Sequence, residues 1–249
     1  MSSRISDIVD IRYANVFGIY GHLGGGKSMT AVEIMTRFLS LGFPVSSNIA
    51  LKNIDSFRGS FNFVEDFSIC DFWLLPCGAP RGVASKLRAA VVVDEAAELL
   101  NQFSSTSQFT LQFCSWLRQS SKRGQFVFLI VQRPEFLVKS ARLLVNTWIL
   151  CDDMAQWRMP VLGFPVPFLG GYVRRLAFDR VGNQISKGMC LGRKSDIARY
   201  YDTSQIFNLS GRVYNTVDYT EPPRDLTKFF LFILLLLAFV RLYLLGLIF

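Results

Sequence analysis

Gly21-His22-Leu23-Gly24-Gly25-Gly26-Lys27-Ser28 is the stretch that decides how this chain folds. It follows the apolar run Ala14-Asn15-Val16-Phe17-Gly18-Ile19-Tyr20 and opens Met29-Thr30-Ala31-Val32-Glu33-Ile34-Met35, which has helical spacing. A strand running through a glycine-rich turn and Gly-Lys-Ser into a helix is the arrangement of a phosphate-binding loop. Each residue type has a physical reason. Glycines let the backbone curl until successive N–H groups face one anion. The helix beginning near Lys27 brings the positive end of its dipole to the same point. Lys27 then reaches the β- and γ-phosphates as a point charge, and the Ser28 hydroxyl sits on Mg2+. The nucleotide-binding set is Gly21, His22, Leu23, Gly24, Gly25, Gly26, Lys27 and Ser28 with the adjoining Met29, and ATP and Mg2+ are the expected cofactors. His22 is the single histidine of the chain, a solvated loop residue within reach of nucleotide.

Two more apolar runs supply the rest of such a site. Ala89-Ala90-Val91-Val92-Val93 reads as a strand buried on both faces, and it ends in Asp94-Glu95. In open α/β sheets the carboxyl edge of the strands faces the ligand. Asp94 is then expected in the Mg2+ shell, and Glu95 to orient and polarise the attacking water. Phe126-Val127-Phe128-Leu129-Ile130-Val131 is a second buried strand and leads to Gln132. Gln132 either senses the γ-phosphate from there or is a solvated strand end. The motifs predict an α/β P-loop nucleotidase with a mostly parallel central sheet, a small β-rich extension and a C-terminal transmembrane helix.

Between these strands the chain is read as follows. Residues 29–41 are a helix stopped by Gly42, and Val45–Ile49 is the second strand. Residues 50–88 hold short apolar patches at Phe61–Val64 and Phe72–Leu75, packed on the domain without a chemical role. Leu111–Arg123 has helical spacing with Gly124 as its stop, and Pro134 suits the first turn of a helix running to about Leu144. Trp148–Cys151 is a further strand, and Asp152-Asp153 is its solvated end rather than a metal site. Tyr172–Phe178 is a partly exposed strand whose Arg174 and Arg175 lie on a solvated face, DNA contact being the alternative. Arg118, Arg123, Arg133 and Arg142 are all candidate arginine fingers between subunits. The predicted division is 1–158 ATPase core, 159–220 extension, 221–228 linker and 229–249 membrane helix.

Composition sets outer bounds. With 27 Lys and Arg against 19 Asp and Glu, the net charge of +8 favours nucleic acid or anionic lipid as a neighbour. Five widely spaced cysteines without a CxxC pair argue against a disulfide scaffold or zinc site and for a reduced compartment. The first residues lack the apolar core of a signal peptide. Phe229–Phe249 is apolar except for Arg241, and as a helix it would be about 31 Å long, enough for the hydrocarbon layer. Arg224 and Lys228 precede it and no charge follows, so the positive-inside rule puts residues 1–228 in the cytoplasm. Arg241 within the span would cost about 2.5–3.5 kcal/mol alone. It either faces a helix partner or wet seam in an oligomer, or snorkels.

With these residues in place, the chain resembles the filamentous-phage assembly and export ATPases, the gene I and zonula occludens toxin-like family. The resemblance runs from about Val16 into the apolar span. It rests on Gly21–Ser28, Ser47-Asn48-Ile49-Ala50-Leu51, Val92-Val93-Asp94-Glu95 and Phe128–Gln132. It continues through Ala141-Arg142, Met159-Pro160-Val161-Leu162-Gly163 and Tyr201-Asp202-Thr203. It implies a single-pass motor of the host inner membrane, a homo-oligomeric ring that strips single-strand-binding protein from phage DNA, feeds the DNA to coat proteins and drives extrusion. Two departures stand out. Members commonly continue past the span to meet an outer-membrane channel, whereas this sequence stops at Phe249, so the channel is expected only through the resemblance. Ser121-Lys122-Arg123-Gly124 stands where relatives often carry Arg-His before the glycine, which weakens any arginine-finger carry-over from the family.

Two other functions fit the motifs. One is a genome-packaging ATPase of a membrane-containing virus, which would be found inside purified virions. The other is a membrane-anchored adaptor that binds nucleotide to assemble without turning it over.

Overall fold

The computed structural model describes residues 14–78, 88–101, 103, 105–154, 172–185, 190–193 and 197–201. Eight strands form one sheet: β1 (Val16–Tyr20), β2 (Val45–Ser47), β3 (Phe61–Phe63), β4 (Ala89–Val93), β5 (Gln125–Ile130), β6 (Thr147–Asp153), β7 (Tyr172–Asp179) and β8 (Cys190–Arg193). Their spatial order is β3-β2-β4-β5-β1-β6-β7-β8. The first six run parallel, and β7 and β8 add antiparallel beside β6. Parallel strands need a cover on both faces, hence near-continuous apolar runs. Every residue of β4 and β5 is buried.

Helix α1 (Lys27–Ser40) covers one face. Its Ile34, Met35 and Phe38 pack on Phe17, Ile19, Val92, Phe126 and Phe128. Phe128 stacks on Phe17 with ring centroids 4.9 Å apart and meets Phe38 edge-on. The other face is covered by α3 (Gln108–Gln119), whose Phe113, Trp116 and Leu117 meet Val91, Val93, Val127 and Leu129. Ser107 caps α3 by accepting the Thr110 N–H at 3.1 Å, so the helix starts before the stretch read from its apolar spacing. Phe72 and Leu75 are drawn into this second core layer, with Phe72 edge-on to Phe113 at 4.8 Å.

Two readings of the sequence change here. The single helix expected from Pro134 to about Leu144 is instead a 3-10 turn (Pro134–Phe136) and the short helix α4 (Lys139–Arg142). Leu137 and Val138 leave helical geometry to pair with the segment after α2 (Ala96–Leu99). Leu137 bridges Asn101, and the Val138 N–H donates to the Leu100 carbonyl at 2.7 Å. Both side chains are buried there, and that gain overrides the local helical pattern. Arg175, read as lying on a solvated face, is 2 % exposed because β7 lies inside the sheet with alternate residues facing α1. Arg174 does reach the other environment and donates to Asp152 Oδ2 at 2.7 Å, so Asp152 is ion-paired rather than only solvated.

Among the described residues no helix is long and apolar enough to cross a membrane. The linker at 221–228, the apolar span with Arg241, Met159–Gly163 and Asp202-Thr203 lie outside the described residues.

Candidate functional site

The phosphate loop leaves β1 beside β6 and enters α1 through two glycines that nothing else can replace. Gly21 has φ +154°, and a Cβ there would lie 2.1 Å from the Cys151 carbonyl oxygen on β6. Gly26 is left-handed at φ +84°, and its Cβ would lie 2.4 Å from Val173 Cγ2 on β7. The loop closes on itself with Gly25 N–H donating to the His22 carbonyl at 2.9 Å. Gly26 is the N-cap of α1, with no side-chain cap and no acidic residue in the first turn. The positive end of the helix is thus left for an anion from outside. His22, Leu23 and Gly24 are exposed along the rim.

Lys27 is 7 % exposed, folded back inside the loop. Its Nζ donates to the carbonyls of Gly21 at 3.1 Å and His22 at 3.0 Å. An ammonium has three N–H donors, so one remains for a phosphate oxygen. Ser28 Oγ donates to Asp94 Oδ2 at 3.4 Å, joining the first turn of α1 to the end of β4. Sheet order explains the meeting. β5 lies between β1 and β4, so the loop, Gln132 and Asp94-Glu95 leave neighbouring strands at one carboxyl edge.

The acidic pair is held by Asn48, a residue for which the sequence reading had no role. Its carboxamide accepts the Asp94 N–H at 2.7 Å and donates to the Asp94 carbonyl at 3.2 Å. Asn48 follows β2, the strand paired with β4, and so continues the ladder by one side chain. The signal available in the sequence was a polar residue at the end of the strand next to the acidic one. Glu95 then turns into the left-handed region at φ +48°, a conformation costing about 1–3 kcal/mol for a side-chain-bearing residue. Its N–H donates to Asp94 Oδ1 at 3.0 Å.

Burial raises the Asp94 carboxyl above its ordinary pKa, against the pull of the Glu95 N–H, Ser28 and Lys27. Glu95 is raised as well, first by burial and then by the charge of Asp94, and the Gln132 side chain bonds it. A carboxylate that is desolvated beside a serine hydroxyl is a hard-oxygen pair short of positive charge. That donor set suits Mg2+, which takes few protein ligands and completes its shell with phosphate and water. Ser28 and Asp94 would hold the ion, which would supply positive charge against a bound phosphate. Gln132 itself is exposed, bonded to Glu95 and facing the same edge.

Of the four arginines singled out, Arg123 is committed elsewhere. It donates to the Trp73 carbonyl at 2.7 Å, lies over the Trp73 ring and bonds Gln125 Oε1 at 3.3 Å. It therefore pins the 73–76 segment at the amino end of β5, the opposite edge from the site. Arg118 and Arg133 are exposed, and Arg133 directly follows Gln132.

No protein-family model matches the chain. In sequence it is similar to the gene 1 protein of Enterobacteria phage I2-2, with 24% identity over 211 residues. That match takes in 77% of this chain and 57% of the relative, so the chain spans little more than half the relative's length. The resemblance carried by the motifs thus meets a gene 1 protein over those 211 residues. Among solved structures it is similar to the N-terminal domain of zonular occludens toxin from Neisseria meningitidis. There the TM-score is 0.47 and identity 16%, covering 76% of this chain and 99% of that one. The genome packaging NTPase B204 of Sulfolobus turreted icosahedral virus 2, in complex with ATP-gammaS, matches with TM-score 0.43 and 13% identity, covering 74% and 98%.

Proposed function

We propose that this protein is a magnesium-dependent ATPase that drives assembly and extrusion of a filamentous phage at the host inner membrane. The observation that carries the nucleotidase reading is the convergence of Lys27, Ser28, Asp94 and Glu95 at one sheet edge, with Ser28 Oγ 3.4 Å from Asp94 Oδ2. Loop N–H groups and the Lys27 ammonium bind the β- and γ-phosphates. Glu95 aligns a water with the γ-phosphorus and takes its proton, and Gln132 holds Glu95 in that orientation. The new P–O bond to water replaces the bond to the β-phosphate oxygen, giving ADP and inorganic phosphate.

The cellular role is supported by similarity to a phage gene 1 protein and by the motif series of the gene I and zonula occludens toxin-like family. The apolar 229–249 stretch supports a single-pass tether with residues 1–228 cytoplasmic, and the net charge of +8 suits anionic lipid and DNA. On this reading the motor is a homo-oligomeric ring, its cargo is coat protein with the single-stranded DNA complex, and an outer-membrane channel receives the particle.

The test is hydrolysis by the full chain in detergent or nanodiscs, with and without magnesium, beside Lys27→Ala. Turnover that needs magnesium and Lys27, together with lost phage release by Lys27→Ala in producing cells, supports the proposal. A folded wild type that neither binds nor hydrolyses ATP overturns it, and recovery of the protein inside purified virions redirects it to genome packaging.

A further inference from the structure

Arg175 is the most deeply buried charged side chain among the described residues, at 2 % exposure, and the proposed chemistry does not use it. A guanidinium in a core needs partners. Its Nη2 pairs with the Glu33 carboxylate, its Nε donates to Thr30 Oγ1 at 3.1 Å, and its Nη1 finds no partner among the described residues. Thr30 is in the first turn of α1, and its hydroxyl donates to the Gly26 carbonyl at 2.9 Å while accepting from Cys151 Sγ at 3.3 Å.

The direction of this chain follows from donor chemistry. A guanidinium has no acceptor, so it can only give to the threonine oxygen, and the single hydroxyl proton must go elsewhere. The Gly26 carbonyl takes it, beside the Thr30 backbone N–H at 2.9 Å, so both its lone pairs are used. That fixes the plane of the Gly26–Lys27 peptide, whose N–H is among the loop amides facing the anion. The same strand touches this peptide again, because Val173 lies against Gly26.

We infer that Arg175 is a positioning residue for nucleotide binding, orienting the Gly26–Lys27 peptide through the Thr30 hydroxyl. This rests on the phosphate-loop reading. It makes the antiparallel strand β7 a brace for the loop and not only an added edge to the sheet. A structural role alone predicts something different. An apolar residue of similar volume fills such a site without desolvating a charge and often leaves stability unchanged or improved. Glu33 would keep Arg37 as its partner.

The experiment titrates a fluorescent ATP analogue into the full-length wild type, Arg175→Met, Arg175→Lys, Thr30→Val, Thr30→Ser and the Arg175→Met/Thr30→Val double variant, with a thermal melt of each. Arg175→Met and Thr30→Val are expected to weaken binding by about tenfold each, and the double variant by no more than either alone. Thr30→Ser, which keeps the hydroxyl, should bind as wild type, and melting midpoints should stay within about 5 °C. Wild-type affinity in both single variants, or additive losses in the double, overturns the inference. Should Arg175→Met fail to fold, Thr30→Val decides on the same criterion, because it removes no side-chain atom from the core. A folded wild type that binds no analogue overturns the phosphate-loop reading and this inference together, whereas wild-type binding with indifferent variants removes only the inference.

Discussion

The carboxamide of Asn48 clasps the Asp94 peptide from both sides, accepting its N–H at 2.7 Å and donating to its carbonyl at 3.2 Å. One neutral side chain thereby sets the exit of β4 and the left-handed turn at Glu95 that follows it. Outer-shell partners of this kind typically change metal affinity or activity by about 10–100-fold when removed. Asn48→Ala should therefore lower turnover within that range while the affinity for nucleotide without magnesium stays within about threefold. Steady-state hydrolysis beside analogue titration checks it. Unchanged turnover would show that β4 holds the acidic pair without help.

Gly26 is predicted to be intolerant of any side chain. Gly26→Ala combines a left-handed φ of +84° with a Cβ 2.4 Å from Val173 Cγ2. The change should destabilise the fold by about 1–3 kcal/mol and abolish nucleotide binding. Urea unfolding with and without nucleotide measures both, and pairing it with Val173→Ala should recover part of the stability but not the φ penalty.

These two residues mark how far the sequence could be read. The glycine loop, α1 and the buried strands were legible because short-range rules decide them: glycine where the backbone curls, continuous apolar runs where a parallel strand is covered twice, helical spacing after Lys27. Gln132 and Asp94 were legible because the motif order places them at one edge. Asn48 and Arg175 were not. Asn48 acts through strand adjacency between β2 and β4, whose paired positions Val45 and Ala90 are 45 residues apart in sequence, and no local pattern encodes that pairing. Arg175 is polar in a strand that looks half-exposed, and its burial depends on α1 lying over β7. The helix expected across Leu137 and Val138 failed for the same reason, since pairing with Leu100 and Asn101 is a tertiary event.

Thiol chemistry should separate the cysteines by burial. Cys151 is fully enclosed, and burial pushes its thiol up to about 11. Cys114 is buried too, whereas Cys77 is exposed. A maleimide at pH 8 should label Cys77 in the folded protein and reach Cys114 and Cys151 only after denaturant, as peptide mass mapping would read. Rapid native labelling of Cys151 would mean that the loop region opens.

Asp179 gives a pH signature at the end of β7. Its carboxylate accepts from the Asn183 side chain at 3.0 Å and from the Asn183 and Val181 N–H groups, each at 2.8 Å. These bonds hold it below its ordinary value of 3.8, led by the Asn183 side chain. A lowered folded value means that the turn's contribution is present above the unfolded pKa and is lost as pH falls through the folded one. A carbon-detected NMR titration should place the Asp179 midpoint below 3.8, and Asn183→Ala should move it upward. A midpoint at or above that value contradicts the turn geometry.

The central claim is that Glu95 activates water at a site that holds nucleotide without it. The measurement that tests this most directly is single-turnover ATP hydrolysis by Glu95→Gln beside its equilibrium ATP affinity in magnesium. General-base catalysis predicts a loss of at least about a hundredfold in the hydrolytic step with affinity within a few-fold of wild type. Hydrolysis at the wild-type rate in a variant that binds ATP normally would contradict it.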